Sequence, residues 1–112
     1  MGKFKRKILV DLDGVMNNYE GVYDENYNPE LKDGAIDFLE KLYESYDLVL
    51  FTSRNLLLAR KWLVKNKIDR YITNITNIKE PSFLIIDDRC INFNGNYDET
   101  LEKIKNFKVW YK

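Results

Sequence analysis

The sequence predicts one α/β domain around a mainly parallel sheet, on three observations. Ile8-Leu9-Val10 and Leu48-Val49-Leu50-Phe51 are short, unbroken apolar runs, the pattern of strands buried on both faces, and Phe83 to Ile86 is a further apolar strand run. Each run stops on polar residues, at Asp11, Thr52-Ser53 and Asp87-Asp88. Between the runs, apolar residues recur at helical spacing. Strands and helices alternating in this way favour a doubly wound fold, in which sites collect beyond the carboxyl ends of the strands.

Taken in order, Ile8 to Val10 is the first strand and delivers Asp11 at its carboxyl end. A polar, tyrosine-rich stretch at about 16–29 reads as a short flap hairpin, with Tyr19, Tyr23 and Tyr27 covering a small core of its own ahead of the alternative, stacking on a base or sugar. Ile36, Leu39 and Tyr43, widened by Phe38 and Leu42, predict a helix from about Gly34 to Tyr46. Leu48 to Phe51 is the second strand, and Leu56, Ala59 and Leu63 mark the helix after it. Tyr71-Ile72-Thr73 makes a short third strand and Phe83 to Ile86 a fourth. Tyr97, Leu101 and Ile104 give a last helix, and Phe107 to Tyr111 an edge strand. At 112 residues this is a single domain, 1–112, with no room for a second.

Lysine plus arginine equals aspartate plus glutamate, 18 against 18, so no global basic field points to nucleic acid. The basic run Lys3 to Lys7 precedes an apolar segment too short to span a bilayer or act as a signal core. A lone cysteine, Cys90, cannot form an internal disulfide and suits a reducing compartment and a core position. A cytoplasmic protein without a membrane partner is expected. The chain has no histidine, which removes Ser-His-Asp chemistry, and it has no Gly-rich phosphate loop. A cysteine phosphatase is excluded because Asn96 stands where its arginine is needed.

The polar strand ends become informative together. Asp11 and Asp13, Thr52, Lys79 and Asp87-Asp88 all lie at or just before boundaries that this fold gathers into one cleft. Like charges about 4 Å apart repel by roughly 4 kcal/mol at an effective dielectric near 20, so protonation or a cation must relieve them. An all-oxygen donor set suits a hard ion, and Mg²⁺ fits best because it takes one or two carboxylates and completes its shell with water and phosphate. Lys79 adds a positive charge and Thr52 a neutral donor, a composition suited to a phosphoryl group.

The apolar strand followed by Asp11-Leu12-Asp13-Gly14-Val15, the strand ending in Thr52, Lys79 before Pro81, and Ile85-Ile86-Asp87-Asp88 resemble, in order, the four motifs of the haloacid dehalogenase (HAD) superfamily. The resemblance covers most of the chain, from Ile8 to Asp88. It implies a three-layer Rossmann-like (HAD-like) domain, with a flap in place of a full cap domain and an open cleft. It also implies a Mg²⁺-dependent phosphomonoester hydrolase in which Asp11 is the nucleophile, forming an aspartyl-phosphate, and Asp13 the acid and base. Thr52 and Lys79 would bind phosphate, and the Leu12 and Gly14 region would supply backbone donors. Asp87 would be the principal distal metal ligand and Asp88 a water-mediated one. Asp11 and the backbone carbonyl of Asp13 would complete that metal set.

Ser53, Arg54, Asn55 and Arg89 adjoin motif residues and are candidates to touch substrate. The implied partner is a phosphorylated substrate, a small molecule ahead of a nucleic acid, with a possible homo-oligomer closing the cleft. Ile86 to Arg89 is also similar to a segment of polynucleotide 3′-phosphatases, which leaves nucleic-acid end processing as an alternative. A phosphate-binding or receiver-like signalling module is a second. Motif order opposes a receiver, because the double aspartate follows the lysine.

Overall fold

The computed structural model describes residues 4–111; Lys3, the start of the basic run, and Lys112 lie outside them. Four strands, β1 (Arg6–Asp11), β2 (Tyr46–Phe51), β3 (Ile72–Thr76) and β4 (Leu84–Ile86), form one sheet in the order β3-β2-β1-β4. Every pairing is parallel. The helices are α1 (Ala35–Tyr43), α2 (Leu56–Lys65) and α3 (Tyr97–Lys105), with a 3₁₀ turn at Asp69–Tyr71 before β3.

The register sets the site. Asp11 pairs with Phe51, and Val10 pairs with both Leu50 and Ile86. The carboxyl ends of β1, β2 and β4 are therefore level, so that Asp11, Thr52 and Asp87 emerge side by side. The chain adds β2 and β3 on one side of β1, then crosses to add β4 on the other. Asp11 and Asp87 thus flank the point where the strand order reverses, the usual place for a crevice in an open α/β sheet.

One sheet face is well packed. Ile8 and Val10, Leu48 and Leu50, Leu39 of α1 and Ala59, Trp62 and Leu63 of α2 form a single buried cluster. Both crossovers run in the same direction from β1, which puts α1 and α2 on one face. The connection from β3 to β4, residues 77–83, carries no helix, and α3 has no buried residue. The expected third layer is therefore not closed by a packed helix.

The helix faces differ from expectation. In α1 the buried residues are Ala35 and Leu39, with Leu42 packed beside them, whereas Ile36, Phe38 and Tyr43 are exposed. The chain turns back into β2 at Tyr46, earlier than predicted, and the buried stripe is set one residue back from the predicted one. In α2, Trp62 replaces Leu56 in the core. Cys90, expected inside, is exposed, its thiol 3.4 Å from the carbonyl of Asp87.

The predicted flap hairpin is reduced to one antiparallel bridge between Asn17 and Leu31, with no strands. Its residues lack the alternation that makes a buried hairpin face. Tyr23 and Tyr27 are exposed, and cover no small core. The segment is instead tied to the domain by Trp62 Nε1 donating to the carbonyl of Pro29 at 3.0 Å and Arg54 Nη1 donating to that of Asp24 at 3.0 Å. Nor do residues 107–111 form an edge strand; they fold back over the β1 loop.

Asn55 has a structural task. Its side chain accepts from the amides of Leu57 and Leu58 at 3.0 and 3.1 Å, capping α2 directly behind the Thr52 turn. Asn55→Ala is expected to cost about 1 kcal/mol of stability, read as a lower urea midpoint at unchanged slope.

Candidate active site

Three carboxylates converge at the strand-order reversal. Asp11 ends β1, while Asp87 and Asp88 follow β4, and each offers an oxygen within 4.8 Å of the others. Burial pushes the Asp11 carboxyl up to about 8, reinforced by the Asp87 charge and by a hydrogen bond and charge from Asp88, while the amide of Leu12 opposes the rise. Asp88 is also raised, first by burial and then with help from Asp87, although its hydrogen bond with Asp11 works the other way. Metal-free, burial and the neighbouring carboxylates therefore oppose the simultaneous ionisation of Asp11 and Asp88. Asp88 Oδ2 is buried with no partner. Three carboxylates offering oxygens this close together, one of them with an oxygen left unpartnered, are a donor set for a hard divalent cation.

Asp13 lies outside this cluster. Both its oxygens accept from Nε of Arg54, at 3.0 and 2.9 Å, and Oδ1 also accepts from Asn17 Nδ2 at 2.9 Å. Arg54, the substrate candidate, is only 5% exposed. It therefore acts as a holder of Asp13, with its guanidinium 4.8 Å from the Tyr23 ring centroid. Its Nη2 is buried without a partner. Arg54 also forms part of the wall of a cleft of about 260 Å³ between the insertion and α2, with Asn28, Tyr27, Leu58 and Lys65.

Thr52 is buried at the end of β2. Its amide donates to the carbonyl of Thr76 at 3.0 Å, and its hydroxyl oxygen accepts from the amide of Arg54 at 3.1 Å. That leaves the hydroxyl proton free to donate. Ser53 is exposed beside it. Lys79 lies exposed in the loop before β4 and makes no hydrogen bond or ion pair among the described residues, so the structure does not join it to the aspartates. Arg89 is exposed, and its amide donates to Asp87 Oδ1 at 2.9 Å.

The loop after β1 is tightly turned. The Leu12 carbonyl accepts from the amides of Val15, Met16 and Asn17, and Leu12 itself is fully buried. Gly14 has φ +83°, and a Cβ there would lie 2.6 Å from Cγ of Asp88. The backbone thus approaches the acidic cluster as closely as only glycine allows. The Gly14 amide, expected as a phosphate donor, is committed to Asn17 Oδ1 at 3.1 Å.

Two groups of residues were not foreseen. Asn17, with no exposed surface, joins Gly14, Tyr19, Asp13 and Asn28 through its amide. One asparagine in a polar stretch carries no sequence signal of such a role. The second group is the C-terminal segment. Trp110 Nε1 donates to the Gly14 carbonyl at 2.6 Å, and Lys32 Nζ lies 4.8 Å from the Trp110 ring centroid. Tyr111 packs edge-on against Tyr19, with ring centroids 6.0 Å apart. Burial raises the Tyr111 hydroxyl, and its proximity to the Asp88 carboxylate raises it further, although no partner lies within good hydrogen-bond geometry. The aromatic pair walls the site on the Asp88 side.

No family model matches the chain, and no curated protein matches it. Among solved structures, a conserved protein from Bacteroides thetaiotaomicron is similar, with a TM-score of 0.61 at 20% identity, over 96% of this chain and 95% of that one. At that identity the likeness shows the α/β fold alone. Among the described residues, no helix is long and apolar enough to cross a membrane.

Proposed function

We propose that the chain is a Mg²⁺-dependent phosphomonoester hydrolase of the HAD type, acting through an aspartyl-phosphate on Asp11. The observation that carries this reading is the convergence of Asp11, Asp87 and Asp88 within 4.8 Å, beside the buried hydroxyl of Thr52 and two residues from Asp13. Asp11, Asp87 and Asp88 would hold the cation. When bound, Mg²⁺ supplies charge neutralisation for the aspartates and the phosphoryl oxygens.

The side chains of the protein do the rest. One Asp11 oxygen attacks phosphorus as the ester oxygen leaves, and water then hydrolyses the acyl phosphate to regenerate the carboxylate. Thr52 donates to a non-bridging oxygen. Asp13 protonates the leaving oxygen and later accepts the proton of water. For that it exchanges part of its contact with Arg54, while Asn17 keeps it oriented. For Lys79 to bind the phosphate, its exposed side chain must turn toward the cleft from the loop before β4.

Hydrolysis of an aryl phosphate tests this proposal, with turnover expected in Mg²⁺ and lost in chelator. Undiminished turnover in chelator would overturn the magnesium assignment. Sugar phosphates, nucleotides and 3′-phosphorylated oligonucleotides, assayed in parallel, separate the substrate classes.

A linkage experiment tests the cation site without turnover. The folded Asp11 carboxyl keeps its proton up to about pH 8, whereas the unfolded one releases it near 3.9. Metal-free stability therefore falls as pH rises through that window. Mg²⁺ should raise the melting temperature by several degrees at pH 8 and by little at pH 5, where it must displace a proton. An equal rise at both pH values contradicts binding at Asp11.

A further inference from the structure

Helix α3 poses a physical problem that the candidate site does not answer. It has nine residues and none is buried, whereas isolated helices shorter than about 12–15 residues are marginal in water. Tyr97, Leu101 and Ile104 lie on one stripe and are 78, 58 and 56% exposed. Phe93 extends the stripe, its ring centroid 5.2 Å from that of Tyr97.

The charges of α3 indicate what covers this stripe. Asp98 and Glu99 stand in the first turn, and Lys103 and Lys105 in the last. At 3.6 residues per turn, Asp98 and Lys105 fall within about 20° of each other, on one flank of the apolar stripe. If two copies of α3 cross antiparallel at Leu101, Asp98 of each lies beside Lys105 of the other. Tyr97 then packs near the second copy's Ile104 and Lys105 stem, and the helix dipoles oppose favourably. Such a contact is self-complementary about a two-fold axis, as a closed dimer requires. The Lys105–Glu102 contact of 3.5 Å within one helix is exposed and gives way readily.

The geometry points to a second copy of this chain as the partner of α3, in an antiparallel pair centred on Leu101 and framed by two Asp98–Lys105 ion pairs. A contact of one nine-residue helix with its copy is small beside the roughly 800 Å² per partner of a standard interface, so a weak dimer is expected, with a dissociation constant on the order of 10 to 100 µM.

Sedimentation of the full chain across that range tests it. Wild type is expected to shift from monomer to dimer, and Leu101→Glu to stay monomeric with an unchanged fold, since Leu101 is exposed. Asp98→Lys and Lys105→Asp should each weaken the dimer about tenfold. Mixed together, those two variants should form a heterodimer in preference to either homodimer, because each then meets its opposite charge. A wild-type monomer at about 500 µM, a dimer unaffected by Leu101→Glu, or no preference in the mixture would overturn the proposal.

Discussion

Asp11→Asn is expected to lower Mg²⁺-dependent phosphate release by at least about 10⁴-fold, since loss of a nucleophile removes the covalent route rather than weakening it. The same variant should be more stable than wild type when metal-free at pH 8. Asparagine keeps the shape of the side chain but cannot ionise, which relieves the crowding that pushes the Asp11 carboxyl up to about 8. A shift of that size corresponds to at most about 6 kcal/mol. Interaction with Asp88 and solvent screening leave on the order of 2 kcal/mol, or roughly 10 °C in melting temperature for a chain this size. The gain should vanish near pH 4, where wild-type Asp11 is protonated in the folded protein. Gain of stability with loss of activity marks a functional group held at a cost. An Asp11→Asn protein that is both less stable and fully active contradicts the account on both counts.

Gly14→Ala is expected to be the most damaging small substitution. The new methyl group would collide with the Asp88 carboxylate, and φ +83° strains any residue with a side chain. Gly34 separates the two effects, because it has φ +88° with nothing within 4 Å of its Cβ position. Gly34→Ala should therefore cost about 1 kcal/mol, from strain alone. Gly14→Ala should cost about 2 to 4 kcal/mol, and should weaken Mg²⁺ binding about tenfold or more by displacing Asp88. Urea unfolding and calorimetric titration of Mg²⁺ measure the two quantities. Equal losses at the two glycines would mean that Asp88 moves aside freely.

Strands β1, β2 and β4 were legible because they are apolar runs with no competing period, and each ends on a residue that β pairing places level with the next. Asp11, Thr52 and Asp87 were found for that reason. Strand β3 is polar in its middle and was placed only as Tyr71 to Thr73, whereas the strand runs Ile72–Thr76 after a 3₁₀ turn that takes Tyr71. The partners of Asp13 were not legible. Arg54 and Asn17 reach it through side-chain geometry, and nothing in the local pattern distinguishes Arg54 as a buried ion pair from a surface arginine. The C-terminal residues were misread because Phe107 to Tyr111 has strand propensity, yet Trp110 donates to the Gly14 carbonyl instead of joining a sheet edge. Helix α3 was correctly located from its period, but a period reports an apolar face without naming what covers it. The insertion failed for a related reason: Tyr19 and Tyr23 pair with Tyr111 and Arg54, far along the chain, instead of with each other.

The proposed role of Asp11 as the nucleophile of a magnesium-dependent phosphatase has a chemical signature of its own. Acid quenching during turnover of a ³²P-labelled phosphate ester tests it most directly, with peptide mapping of any labelled protein. A hydroxylamine-labile label is expected on Asp11 in the presence of Mg²⁺, absent in chelator and in Asp11→Asn. A label on another residue, or Mg²⁺-dependent turnover that persists in Asp11→Asn, would contradict it.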